Sequence, residues 1–164
     1  MAKVKERQKE QAKPSRPSPV VLNRQARHDY HILQSMEVGL ALAGTEVKSI
    51  RAGRANLTEA FARAVNGEMW LHGAHIAQWP GAAHNNHEPM RPRKLLLHKQ
   101  QIRELRQQVE SKGLTLVPLK LYFKHHRAKI ELALAKGKKA YDKRETIGKR
   151  DAERDMRQAM LRRR

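Results

Sequence analysis

Apolar and polar residues alternate along five stretches of the chain, which is the pattern of β-strands that bury one face. The dipeptide Asn66-Gly67 separates two of these stretches and is typical of a hairpin turn, because both positions favour positive φ angles. A basic turn, Lys124-His125-His126, separates two others. Around Pro118 the alternation shifts phase, which predicts a bulge or an edge position where a missing amide is tolerated. The pattern predicts strands over residues 30–42, 61–65, 69–76, 114–123 and 127–135.

Apolar residues follow helical spacing in two other places. Gly44-Thr45-Glu46 begins a short helix that ends near Gly53. Residues 94–112 form a second predicted helix, and Gly113 occupies the position that commonly follows a helix C-terminus. Strands with two inserted helices indicate a small α+β domain that folds as a partly closed barrel.

Both ends of the chain differ from this central region. Residues 1–19 contain three prolines and almost no large apolar side chain, which favours a disordered basic arm. Residues 136–164 carry a thin apolar stripe, so we expect this tail to be disordered alone and helical against a partner. The predicted organisation is an arm over residues 1–19, a barrel over 20–135 and a basic tail over 136–164.

Charge adds a strong constraint on the partners of this chain. The 164 residues include 35 Lys and Arg against 16 Asp and Glu, which gives a net charge of +19. Such an imbalance indicates a polyanionic partner. The absence of cysteine excludes disulfides and thiolate metal sites. No apolar stretch has the length of a membrane span and the N-terminus does not resemble a secretory signal, so we expect a cytoplasmic protein without membrane association.

Nine histidines raise an enzymatic hypothesis. His84, His87 and Glu88 could bind a metal ion in a nuclease, but their spacing in a proline-flanked loop is a weak signal, and a polar or RNA-contacting loop is the competing interpretation. His28-Asp29 has no nucleophile beside it in the sequence. Neither a Walker motif nor GxGxxG is present. We therefore expect a protein that is not an enzyme, with no catalytic residue, metal or cofactor.

Three basic clusters point towards RNA instead. They lie at residues 23–30, 91–94 and 136–144. One such cluster alone is usually a solvated face, but three in one small barrel favour RNA binding. Aromatic residues make up only 4% of the chain, so recognition of a folded RNA by shape and phosphates is favoured over base stacking.

Four blocks of the sequence resemble the SmpB family in their order and spacing. They read NRQARHDY at residues 23–30, GTEVKSIRAGRANL at 44–57, RPRKLLL at 91–97 and KGKKAYDKR at 136–144. The resemblance covers residues 20–150. It implies a mainly β fold, an OB-like antiparallel β-barrel with flanking helices.

The resemblance also implies a function in bacterial trans-translation. Proteins of this family bind the tRNA-like domain of tmRNA, support its alanylation and travel with elongation factor Tu to the A site of stalled ribosomes. Their C-terminal tail enters the empty mRNA channel beside the decoding centre of the small subunit. The implied partners are tmRNA, the ribosome and, through the tmRNA complex, elongation factor Tu, and we expect the chain itself to be a monomer.

Carried over position by position, the resemblance implies two groups of contact residues. The RNA-binding candidates are Asn23, Arg24, Arg27, His28, Glu37, Leu96, Lys129, Lys136, Lys139 and Arg144. The decoding-centre and tail candidates are Tyr141, Asp142, Lys143, Arg144, Ile147 and Met160. Tyr141 stands where relatives often carry His, which favours stacking over proton transfer at this position.

Three alternatives stay open at this point. Glu37 either accepts a hydrogen bond from a base, orients a neighbouring Arg, or is a solvated strand residue. Leu96 either covers the apolar face of a nucleotide or packs in the core. A structural ribosomal protein with an OB-like barrel is the competing function among binding proteins.

Overall fold

The computed structural model describes residues 20–82 and 85–139, together with positions 156, 158 and 160. Residues 20–82 and 85–139 form nine strands and three helices. The strands are β1 (Val21–Leu22), β2 (Tyr30–Leu40), β3 (Ala55–Asn56), β4 (Phe61–Val65), β5 (Glu68–His72), β6 (His75–Ile76), β7 (Arg93–Leu96), β8 (Thr115–Lys124) and β9 (Arg127–Gly137). The helices are α1 (Arg24–Asp29), α2 (Gly44–Arg51) and α3 (Lys99–Lys112).

Six of the strands close into a ring. The hydrogen-bonded order is β8-β4-β5-β7-β2-β9, and β9 pairs again with β8. Every pairing in the ring is antiparallel, β1 lies beside β8, and β3 and β6 form a separate two-stranded sheet. Closure leaves each ring strand paired on both sides, which removes the exposed edges of an open sheet. The expected OB-like barrel with flanking helices is confirmed.

The interior of the ring holds the main hydrophobic core. Met69, Leu95, Ile130 and Leu132 are at most 1% exposed and belong to one cluster. Helix α3 adds Ile102 and Leu105 to the same cluster, and α2 adds Ile50. Burial of these apolar side chains is the main term that holds both helices against the barrel.

The β4–β5 turn forms as the sequence predicts, with φ angles of 51° at Asn66 and 76° at Gly67. The expectation of one strand over residues 69–76 is wrong. Gly73 breaks it, with φ at 69° and a backbone so close that a Cβ atom would lie 2.6 Å from the Glu59 carbonyl oxygen. The chain therefore leaves the ring after His72 and pairs briefly with β3.

The predicted bulge is present in β8. The register against β9 shifts between Pro118 and Lys120. Before the shift, Val117 packs outside the ring with α1, and after it Leu121 packs inside. The bulge therefore turns the even-numbered residues that follow it outwards.

The helix predicted over residues 94–112 begins later than expected, because Arg93–Leu96 is strand β7 and α3 starts at Lys99. Leu95 is buried between Leu40 of β2 and Met69 of β5, its register partners. Pairing on both sides outweighs the helical spacing of the leucines.

The predicted arm over residues 1–19 lies outside the described residues, so its disorder stays a prediction. The expected tail, over residues 136–164, begins inside the barrel, because β9 runs on to Gly137. After residue 139 the tail lies outside the described residues, except for Met156, Gln158 and Met160, which are exposed helical positions. The described residues contain no helix that is both long and apolar enough to cross a membrane.

Candidate nucleic-acid interface

Helix α1 is held against the barrel by Asn23, the residue at its N-cap. The Asn23 side-chain oxygen accepts a hydrogen bond from the Ala26 amide at 3.0 Å. Its Nδ2 donates to the carbonyl oxygens of Leu57 and Pro118, at 2.8 and 3.1 Å. Asn23 is 4% exposed, so this candidate positions the helix that carries other candidates.

Once anchored, α1 lies on the outer side of strands β8 and β9. Ala26 packs with Val117, Leu119, Ala133 and Ala135 in a small second core. This packing leaves Arg24 and Arg27 exposed, while His28 is half-buried with its Nδ1 3.0 Å from the Asp29 carboxylate. The helix thus presents two guanidinium groups to solvent.

The end of β9 brings the first and third basic clusters together. The Lys138 amide donates to the Asp29 carbonyl oxygen at 2.9 Å, and Lys138 Nζ donates to the Arg27 carbonyl oxygen at 3.1 Å. Lys136 pairs in register with His31 of β2, and Lys136 and Lys139 are exposed. We call the joined group the α1 patch, which comprises Arg24, Arg27, His28, Lys136, Lys138 and Lys139.

A carboxylate organises a second group further along the same strands. Glu37 of β2 accepts a hydrogen bond from the Tyr122 hydroxyl of β8. Its other neighbours are Nζ of Lys124 and Nζ of Lys129, each at 3.3 Å. We call these four residues the Glu37 cluster. Glu37 therefore orients a tyrosine and two lysines, and not the arginine that the sequence interpretation suggested.

The ionisation states in the Glu37 cluster follow from this geometry. The hydrogen bond from Tyr122 is the largest cause that lowers the pKa of Glu37 to about 2, and the two lysines lower it further. Burial, followed by the Glu37 contact, raises the pKa of Tyr122 to about 12. Near neutral pH the cluster therefore holds one anion, two lysine cations and a neutral phenol that donates its proton.

Leu96 completes this part of the surface. A row of register partners crosses four neighbouring strands, from Leu96 of β7 to Gly39 of β2, Lys129 of β9 and Tyr122 of β8. A Cβ atom at Gly39 would lie 3.2 Å from Leu96 Cβ, so the leucine side chain lies over the glycine. Leu96 is 55% exposed, which excludes the core-packing alternative and leaves an apolar surface beside the Glu37 cluster.

An ion pair connects the two groups along the outside of the barrel. Lys120 Nζ lies 2.7 Å from the Glu131 carboxylate, and this hydrogen bond is the main cause of the lowered pKa of Glu131. The charge of Arg27 contributes to the same shift, so Arg27 of the α1 patch lies within electrostatic range of Glu131. We call the whole surface, from the α1 patch through Lys120 and Glu131 to the Glu37 cluster and Leu96, the lateral face.

The second basic cluster, at residues 91–94, adjoins this face only through Lys94, which lines one depression with Glu37, Leu96 and Lys129. Arg93 is fully buried, and its guanidinium donates to Glu46, at 2.8 Å, and to the carbonyl oxygens of Ala74 and Pro89. Arg91 also pairs with Glu46, at 2.8 Å, and Lys94 pairs with Glu68. The expectation that this cluster contacts RNA is wrong for Arg93, because no phosphate can reach a fully buried guanidinium.

Glu46 stays ionised in this buried position because cations surround it. Burial alone would raise the pKa of Glu46, but hydrogen bonds from Arg91, the Ala43 amide and Arg93 produce a net lowering. The resulting cluster ties α2 to β7 and is structural.

The loop considered for a metal-dependent nuclease also has a structural explanation. His87 is 7% exposed, with Nδ1 2.9 Å from the Thr45 hydroxyl and Nε2 3.0 Å from the Ile76 carbonyl oxygen. Both ring nitrogens are therefore engaged within the protein. His84 lies outside the described residues, and the described residues contain no group of three or more metal-binding side chains.

Several candidates fall outside the described part of the chain. These are Tyr141, Asp142, Lys143, Arg144 and Ile147. Their roles stay predictions, as does that of the exposed Met160.

The structure also brings in residues that the sequence interpretation missed. Lys120, Tyr122, Lys124 and Glu131 all belong to the lateral face. The sequence does indicate that the first three share one face, because a bulge at Pro118 places alternate residues after it on the outside of the barrel.

Comparison with known proteins decides the family. A family model described as SmpB protein matches residues 20–162. The chain belongs to the SmpB family. The resemblance of the four sequence blocks is thereby confirmed over nearly the whole chain.

Individual SmpB relatives are similar along most of their length. An SsrA-binding protein of Thermobifida fusca is 53% identical over 96% of this chain and 99% of its own. One of Carboxydothermus hydrogenoformans is 61% identical over 84% of this chain and 93% of its own. A solved chain from work described as "tmRNA-SmpB: a journey to the center of the bacterial ribosome" is 54% identical, with a TM-score of 0.63, and the match covers 74% of this chain and 86% of that one.

Proposed function

We propose that this SmpB-family chain binds tmRNA (SsrA RNA) and is required for trans-translation, the rescue of stalled ribosomes. The observation that carries the proposal is the lateral face, where two basic clusters distant in sequence meet on one side of a closed barrel. The names of the SsrA-binding relatives support tmRNA as the RNA concerned.

The chemistry of the lateral face fits recognition of a folded RNA. Exposed Arg24 and Arg27 can pair with phosphates through their planar guanidinium groups. Glu37 holds two lysines and a tyrosine in fixed positions, which lowers the entropy lost when they contact RNA. Exposed Leu96 offers a flat apolar contact for a sugar or base beside them. Together these groups favour shape and backbone recognition, as the low aromatic content predicts.

In the finer form of the proposal, the lateral face binds the tRNA-like domain of tmRNA. The chain acts as a cytoplasmic, monomeric, non-enzymatic factor that supports alanylation by holding this RNA in a form the charging enzyme accepts. It then accompanies tmRNA and elongation factor Tu to the A site of a stalled ribosome. Residues 141–144 contact the decoding centre of the small subunit, and the tail with Ile147 and Met160 lies in the empty mRNA channel.

A truncation tests this division of labour. Removal of residues 146–164 leaves every described contact of the lateral face in place, so affinity for tmRNA is expected to stay within about twofold. Peptide tagging on stalled ribosomes in a purified translation system is expected to be lost. Tyr141→Ala, as the matched point variant, should likewise impair tagging more than tmRNA binding.

Two results would contradict this proposal. A large loss of tmRNA affinity on truncation would make the tail part of the RNA site. Retention of one copy per ribosome after a high-salt wash, without tmRNA, would favour the structural ribosomal protein.

A further inference from the structure

The turn between β8 and β9 has an unusual sequence for its backbone. Lys124 and Arg127 are register partners, so His125 and His126 form a two-residue hairpin turn. Their φ angles are 47° and 62°, both in the left-handed region, and both side chains are exposed. Few residues with a Cβ atom adopt this region, although Asn, Asp and His do so more often than others, and such turns usually carry Asn-Gly. We call residues 124–127 the hairpin tip.

The same barrel contains the relaxed version of this turn. The β4–β5 hairpin has nearly the same backbone, with φ angles of 51° and 76°, and carries Asn66-Gly67. Local backbone preference therefore favours Asn-Gly at both hairpins, and the fold does not require imidazoles at the second. A pair of exposed histidines in place of the preferred Asn-Gly points to a role outside folding.

The hairpin tip continues the lateral face. Lys124 belongs to the Glu37 cluster, and Tyr122 and Lys129 precede and follow the turn as register partners. An RNA bound along the lateral face towards its β8–β9 end would meet the turn next. The tip places two imidazoles between a lysine and an arginine, which is a cationic surface suited to phosphate.

The other charged groups around the hairpin tip keep the same charge near neutral pH, so a pH effect at the tip would come from the imidazoles. Glu37, with a pKa of about 2, and Tyr122, with a pKa of about 12, keep their charge states between pH 6 and pH 8. Lys124, Lys129 and Arg127 are cations throughout, as is Arg51 of α2, whose guanidinium lies 5.2 Å from the centre of the Phe123 ring. Histidine is the side chain that ordinarily changes charge across this range.

We propose that the hairpin tip is an additional phosphate-contacting site of the lateral face, and that protonation of His125 and His126 strengthens its hold on RNA. The inference rests on the proposed function, because the RNA concerned is the tRNA-like domain of tmRNA. The strain at the two turn positions is retained because the imidazoles contribute to binding.

The test replaces the turn with the one that the chain already uses elsewhere. His125→Asn combined with His126→Gly is expected to fold with an equal or higher melting temperature, because Gly removes the strain. Affinity for a transcript of the tRNA-like domain is measured at pH 6 and pH 8 at constant ionic strength. We expect the variant to bind about fivefold more weakly than the original chain at pH 6 and within about twofold at pH 8.

Two further variants separate the charge of the tip from other effects. His75→Asn removes an exposed histidine from β6 and is the matched control, with binding expected to equal that of the original chain at both pH values. His125→Lys combined with His126→Lys fixes the cations at the tip, so this variant should bind more tightly than the original chain at pH 8, and the ratio between its affinity and that of the Asn-Gly variant should be the same at both pH values.

The outcomes distinguish this inference from the proposed function. If the original chain binds tightly and the Asn-Gly variant binds equally well at pH 6, the role of the hairpin tip is overturned. The proposed function is unaffected by that result. A lysine variant no stronger than the original chain at pH 8 would also overturn the role of the hairpin tip. Failure of the original chain to bind the transcript in preference to unrelated duplex RNA would instead remove the proposed function, and the inference with it.

Discussion

At the scale of single residues, similar side chains have opposite roles according to their burial. Arg27 and Arg93 both lie in basic motifs, yet Arg27 is exposed on α1 and Arg93 is fully buried against Glu46. Asn23 and Glu37 look like ordinary polar residues, yet each makes at least three polar contacts that position other groups. Under the proposed function, a residue on the lateral face therefore either contacts RNA or holds a contacting residue in place.

Asn23→Ala tests the positioning role. The substitution removes a helix cap and leaves two buried carbonyl oxygens with one partner fewer, so we expect a loss of about 2 kcal/mol in the free energy of unfolding. Gln25→Ala, an exposed change on the same helix, should stay within about 0.5 kcal/mol. Urea denaturation measures both values, and equal effects of the two substitutions would show that Asn23 does not anchor α1.

Glu37→Gln tests the electrostatics of the Glu37 cluster. The pKa of Glu37 falls from 4.5 to about 2 in the folded protein, so its ionised form stabilises the fold. This contribution is complete above about pH 5 and is lost as the pH falls towards about 2. The stability difference between the original chain and Glu37→Gln should therefore shrink between about pH 5 and about pH 3. Thermal unfolding at both pH values measures it, and a difference that stays constant or grows would contradict the assigned contacts.

At the scale of elements, local signals account for the turns and the bulge, while strand pairing depends on distant residues. The hairpin turn at Asn66-Gly67 and the bulge at Pro118 follow from the local sequence, and both predictions are confirmed. The sequence predicts a helix where strand β7 lies, because β7 is favourable only through its pairing with β2 and β5, which are distant in sequence. Helix α1 was not predicted, because its stability comes from the Asn23 cap and from packing on β8 and β9.

In the candidate site, too, the local sequence indicates some features, and contacts between distant residues decide the others. The sequence blocks indicate the basic residues of α1 and β9, but not that Lys138 joins them through the carbonyl of Arg27. Nor does a basic motif reveal that Arg93 faces inwards, because its partner Glu46 is 47 residues away. The sequence identifies the charges, and only the folded barrel decides which of them are available to RNA.

The buried Glu46 cluster makes a prediction at this scale. Glu46→Ala leaves Arg93 buried without its carboxylate and breaks the link between α2 and β7, at a cost of about 3–5 kcal/mol. Lys48→Ala, an exposed change on the same helix, is the control and should change stability by less than about 0.5 kcal/mol. Chemical denaturation followed by circular dichroism measures both substitutions. A loss below about 1 kcal/mol for Glu46→Ala would show that the cluster does not hold these elements together.

At the scale of the whole molecule, ring closure turns scattered charges into one surface. Strands β2, β9 and β8 are neighbours only because β9 returns to pair with both, and α1 covers one end of the trio. The lateral face therefore depends on the complete barrel, with the net charge of +19 adding long-range attraction for RNA. Specific recognition requires that this face, rather than total charge, dominates binding.

The most direct test of that claim is competitive binding of the full chain to tmRNA, with excess mature tRNA, at two salt concentrations. We expect tmRNA to be retained against the competitor. Arg27→Ala with Lys129→Ala should weaken binding at least about tenfold, with a salt dependence lower by about two counterions. Arg103→Ala with Lys112→Ala on α3 removes the same charge and should change affinity by less than about threefold. Equal losses in both double variants, or displacement by the competitor, would mean that the chain binds RNA by net charge alone and would contradict the account.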